Sequence, residues 1–148
     1  MTEITEMLQE AAALHEGAAQ QAGAARRTPV VSVFGHPGRV AGLAGHLPHG
    51  WSIRRPCDLD DVHPDDIVVF GGAVEGDVAA ARAALPRRTR IVAVVDTDAA
   101  AEVVAAVLTA GADVCVRGGL PAILASHLIA CRRRQVTDRW SAYQPLQV

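Results

Sequence analysis

Between residues 29 and 134, short apolar runs rich in β-branched residues alternate with Ala-rich stretches of helical composition. This alternation constrains the fold most. Near-continuous apolar runs mark strands covered on both faces, and such strands belong to parallel sheets with helices on either side. The runs are "VVSVF" (30–34), "WSIRR" (51–55), "IVVFGGA" ending at Gly71-Gly72, "RIVAVVDTD" and "DVCVRGG". The second is shorter and more polar, as an edge strand is.

The intervening segments carry helix signals. "GHPGRVAGLAGHLP" places Pro37 at a first helical position and sets Val40, Leu43, Ala44 and Leu47 on one stripe until Pro48. "EGDVAAARAALPRR" is a helix ended by Pro86. "DAAAEVVAAVLTAGA" is a helix that Asp98 can cap and Gly111 stops. "LPAILASHLIACRRR" starts near Pro121 and ends on three arginines. "CDLDDVHPDD" is too short and too polar for a full helix. Strands alternating with helices predict an α/β fold: a single doubly wound five-stranded parallel sheet, flavodoxin-like, in the order 2-1-3-4-5, with right-handed crossovers.

Composition narrows the class. The 148 residues suit one domain with terminal extensions. Half are hydrophobic but only 3% are aromatic, so the core is built from Ala, Val, Leu and Ile. No apolar run approaches the ~20 residues of a membrane span. No secretory signal pattern opens the chain. A net charge of −2 argues against nonspecific nucleic-acid binding. Cys57, Cys115 and Cys131 share no ligand spacing, and an odd, scattered set fits a reducing cytoplasm. Abundant Ala, Arg and Val with no Lys suggest a bacterial, GC-rich source.

Residues 1–28 form a separate compositional unit, an N-terminal helix. Glu3, Glu6, Glu10 and Glu16 precede the first basic residue, Arg26, and this polarity suits the helix dipole. Ile4, Met7, Ala11, Leu14 and Ala18 are spaced 3, 4, 3 and 4, a heptad seam two repeats long. Two roles stay open: packing on the domain, or dimerisation. Residues 135–148 read as a C-terminal tail or linker.

"VLTAGADVCVRGG" resembles the segment of response-regulator receivers in which a helix ends at Gly-Ala-Asp and the next strand leads to a Lys-Pro. "DIVVFGG" resembles the receiver strand that ends in the phosphorylated aspartate. "VVSVFGHP" resembles the first strand with its acidic pair and following Pro. The resemblance implies a receiver domain over residues 29–134. Carried across residue by residue, however, its chemistry is missing. The acidic pair that would hold Mg²⁺ falls on Phe34 and Gly35, and neither side chain offers the oxygen a hard cation needs. The phosphoacceptor falls on Gly71. The Ser/Thr position falls on Asp96, or on Thr97 one residue along. The Lys falls on Gly118, beside Arg117. A slip of register does not restore an acidic cluster, because neither the first strand with its loop nor the third contains Asp or Glu. The resemblance therefore implies a degenerate member, a pseudo-receiver.

Other candidate sites are weaker. Gly35, Gly38, Gly42 and Gly45 match no phosphate-loop or dinucleotide pattern. His36, His46, His49 and His63 show no ligand spacing, so no metal and no cofactor is expected. No nucleophile–base set is visible, and no enzyme activity is expected. The expected function is signalling or transcription regulation through protein–protein contact, with the chain itself (a homodimer) and a regulatory protein as partners. Nucleic acid would be reached only through a domain not present in this chain. The expected interface uses Ile4, Met7 and Leu14 with Val103, Val104, Val107 and Leu108. The rival reading is a small-effector module using the crevice at the strand carboxyl ends, lined by Phe34, Gly35, His36, Gly71, Gly72, Asp96, Thr97, Arg117 and Gly118.

Overall fold

A computed structural model of the chain describes residues 28–143 apart from residue 73. The expected N-terminal helix, with Ile4, Met7 and Leu14, lies outside the described residues, as do residues 144–148 of the expected tail.

The strands are β1 (Val30–Gly35), β2 (Ser52–Arg54), β3 (Ile67–Gly71), β4 (Arg90–Val95) and β5 (Val114–Arg117). They form one parallel sheet in the order β2-β1-β3-β4-β5. Three α-helices are described: α1 (Glu75–Ala84), α2 (Ala101–Ala110) and α3 (Pro121–Tyr143).

Strand alternation divides the core into two layers. Val31, Val33, Ile67, Val69, Val92 and Val94 point to the side covered by α3, where Leu124, Leu128 and Cys131 meet them. Val68, Phe70, Ile91, Ala93 and Val95 point the other way, towards Val78 and Ala81 of α1 and Val107 of α2. The expected class and strand order hold, and β2 is an edge strand.

Several local expectations change. The first helix is absent. Two 3-10 turns, Pro37–Val40 and Leu43–His46, replace it, still burying Val40 and Leu43. Gly42 between them is left-handed, at φ 80°. Three glycines in this short stretch each cost a helix about 1 kcal/mol, so the segment follows the sheet without becoming regular. The β2–β3 connection holds only the 3-10 turn Leu59–Asp61, capped by the Asp58 carboxylate on the Asp60 amide at 2.9 Å. Asp98 does not cap α2; the cap position is Ala100, without a side-chain bond.

The last helix does not stop at the arginines. No Gly or Pro interrupts residues 122–143, and α3 runs on to Tyr143, so most of the expected tail is helix. Its second half is tied to the domain. Gln135 is buried and donates from Nε2 to the carbonyls of Asp66 (3.1 Å) and Arg88 (2.9 Å). Arg139 pairs with Asp65 at 3.2 Å, and Arg90 pairs with Asp138. Among the described residues, no helix is long and apolar enough to cross a membrane.

Candidate functional site

The carboxyl ends of β1, β3, β4 and β5 lie along one sheet edge, where a doubly wound fold places its site. In parallel register Gly35 pairs with Gly71, Gly71 with Val94, and Val95 with Arg117. A hollow lies at this edge. His36, Gly72 and Asp96 line it, with Arg39, Val95, Ala99 and Val103, around about 270 Å³.

Backbone fills the centre of this edge. The His36 amide donates to the Gly71 carbonyl at 2.9 Å, which draws the loop after β1 over the end of β3. A Cβ on Gly71 would lie 2.6 Å from the His36 carbonyl oxygen and 3.1 Å from Arg39 Cβ. A Cβ on Gly35 would lie 2.2 Å from the Gly71 carbonyl oxygen, and Gly35 also sits at φ 82°. Side chains at these two positions meet main-chain atoms, which cannot swing aside. Gly118 donates its amide to the Val95 carbonyl at 2.9 Å and adopts φ 80°, with Thr97 Oγ1 only 2.9 Å from where its Cβ would stand.

The charge in the crevice is neutralised internally. Arg39 pairs with Asp96 across it, with side-chain exposures of 37% and 61%. An ion pair this exposed contributes about 0–1 kcal/mol, so it orients the rim more than it holds the fold. Arg39 lines this hollow and was not among the residues expected there; the available signal was its place as the one Arg or Lys in the loop after the first strand.

The remaining expected site residues separate. Phe34 is not in this crevice. Its ring stacks on Phe70, the centroids 5.5 Å apart and the planes at 26°, and both line a different hollow with Cys57, Asp58, Asp60 and Asp77. The alternation of β1 dictates this, since Phe34 falls on the α1 side. Arg117 is exposed and lines neither hollow. Thr97 meets Gly118, as their positions at the ends of β4 and β5 require.

The expected interface residues also divide. Val103 and Leu108 are exposed at 44% and 41%. Val104 is half-buried against the core. Val107 is 1% exposed and belongs to the core, so it cannot serve as a contact. Leu120 (65%) and Ile123 (47%) add exposed apolar surface where β5 leads into α3. Among the described residues no group of His, Cys, Asp and Glu is placed to hold a metal ion.

Strand order, all-parallel register and helices on both faces define a doubly wound, flavodoxin-like α/β fold. No family model matches the chain. No curated protein matches it either. Among solved structures, the response regulator ChrA of a heme-sensing two-component system is similar at 17% identity and a TM-score of 0.47, over 82% of this chain and 67% of that one.

Proposed function

We propose that this chain is a pseudo-receiver: a regulatory module that is not phosphorylated, catalyses nothing, and acts through protein contact as a homodimer in the cytoplasm. One observation carries the reading. The phosphoacceptor position is Gly71, and the His36 backbone occupies the space a side chain there would need. The edge offers Arg39 and Asp96 paired to each other in place of a metal-binding carboxylate cluster. Incubation with acetyl phosphate and Mg²⁺ followed by intact-mass spectrometry is the direct test. No phosphoryl adduct is expected; a stable adduct on any aspartate overturns the reading.

Val103 and Leu108 of α2 are exposed, as are Leu120 and Ile123 before and within α3, and β5 is an edge strand. Each Leu or Val fully buried contributes roughly 1.5–3 kcal/mol, so four such residues can hold a modest dimer. A DNA-binding partner domain and a role in transcription belong to the same proposal and would lie outside this chain. The small-effector alternative has less support. Phe34 is missing from the crevice, the volume of about 270 Å³ falls just short of an ordinary ligand pocket, and backbone blocks its centre.

A further inference from the structure

The link from β2 to β3 carries the turn Leu59–Asp61 and no α-helix. Beside that turn, on the α1 side of the sheet, lies a hollow of about 470 Å³. Its volume is that of an ordinary small-ligand site, roughly 300–1,000 Å³. Phe34 and Phe70 line it as a stacked pair, their ring centroids 5.5 Å apart. Phe70 is buried, but Phe34 is only half-buried. Helix α1 contributes Ala80 and Ala84, whose methyl groups are too small to cover two rings. The fold therefore leaves an aromatic surface partly open at this point.

The charge around those rings has one sign. Asp58 and Asp60 on the turn and Asp77 on α1 line the hollow, and no basic side chain does. All three are exposed. Asp58 accepts from the Asp60 amide at 2.9 Å. Among the described residues, none of the three aspartates has an ion-pair partner. The charged groups of the wall are thus acceptors only, set around aromatic faces that also favour positive charge. Among the described residues no carboxylate group is placed to hold a metal ion, so an inorganic cation is not the match.

We propose that this hollow binds a small organic cation, an ammonium compound with an aromatic or apolar body. The body covers the Phe34 and Phe70 rings and removes them from water. The ammonium donates to the carboxylates, which are stronger acceptors for being charged. An anion of the same shape meets three like charges and no donor partner, and a neutral molecule leaves the carboxylates unanswered. A ligand of about a dozen heavy atoms binds such a site with a dissociation constant on the order of millimolar. The hollow shares no lining residue with the crevice at the carboxyl edge of the sheet. The inference therefore stands whether or not the protein is phosphorylated.

Three probes of one shape test it: 2-naphthylmethylammonium, 2-naphthylmethanol and 2-naphthoate. Each is titrated into the full chain to the low millimolar range and followed by amide NMR shifts. The ammonium is expected to move the amides of Cys57, Asp60 and Ala80 saturably while those of His36 and Asp96 stay in place. The alcohol should bind about fivefold more weakly and the naphthoate not at all. Asp60→Asn with Asp77→Asn should weaken the ammonium roughly fivefold, leave the alcohol unchanged and so erase the preference. Phe34→Leu should weaken the ammonium roughly threefold. Preserved dispersion of the remaining amide signals shows that each variant is folded. Equal binding of ammonium and alcohol to the native chain overturns the proposal, as does no saturable shift at all. So does a preference that survives the double aspartate variant, or a shift centred on His36 and Asp96. Tighter binding of a peptide, acetyl-Arg-Leu-Arg-Leu-amide, by tenfold or more at the same amides assigns the hollow to a partner's basic segment and overturns it too.

Discussion

Gly35 and Gly71 control what the sheet edge can do. Each faces a main-chain oxygen, at 2.2 Å and 2.6 Å from where a Cβ would be. Gly71→Ala should therefore destabilise by about 1–3 kcal/mol, the range of overpacking. Gly35→Ala should cost more, because it adds a left-handed backbone that an L side chain resists by roughly 1–3 kcal/mol. Urea unfolding of both variants measures this, and a neutral Gly35→Ala would mean the loop after β1 is not closed. Arg39→Ala should lie within about 1 kcal/mol of the parent, as an exposed pair does. The absence of a carboxylate at these positions is legible in the sequence. That the space is also closed is not, because the close approach depends on a hydrogen bond between residues 36 and 71.

At the scale of elements, α3 shows what patterning reaches and where it stops. The strands were readable because β-branched apolar runs bury on both faces whatever the neighbours do. The helix end was not. Arg132, Arg133 and Arg134 look like a basic terminus, yet Arg132 lies partly buried, and desolvation lowers its pKa. The helix continues because Gln135, Asp138 and Arg139 find partners far along the chain, in the loops before β3 and β4 and at the start of β4, which no local signal announces. Likewise Val107 and Val103 look alike in composition, and only the rotation of α2 puts one inside. Gln135→Ala should cost about 2 kcal/mol, since it leaves two carbonyls without their donor. A second prediction concerns pH. Burial pushes the Cys131 thiol up to about 11 from 9.0. The unfolded thiol ionises first, so its contribution is intact below pH 9 and is lost as pH rises towards 11. Comparing urea midpoints at pH 8 and 10.5 in the parent and in Cys131→Ala should show a larger loss in the parent; the variant keeps only the smaller share of Cys115, whose thiol burial also raises. Cys57, which is exposed, should be alkylated by iodoacetamide in the folded protein while Cys131 is spared.

For the whole molecule, the proposed dimer would draw on the exposed apolar residues Val103, Leu108, Leu120 and Ile123. Light scattering at micromolar concentration should give twice the chain mass. Ile123→Glu should shift it to the monomer with the melting temperature little changed, because that side chain is 47% exposed in the isolated chain. A parent that runs as a clean monomer removes this face from the proposal. Val107→Glu is the contrasting variant. It charges a core position that is 1% exposed, and it should unfold the domain instead of separating two folded copies.

The loop that His36 ties to Gly71 makes the closed sheet edge a ratchet. Any sequence of single substitutions that places a carboxylate at residue 71 must first lift residues 36–39. Lifting them leaves the Gly71 carbonyl without its donor while Gly35 still holds the backbone in its left-handed turn. A carboxylate at residue 35 meets the same obstacle from the other side. Each step towards a carboxylate at this edge is penalised until the others have been taken.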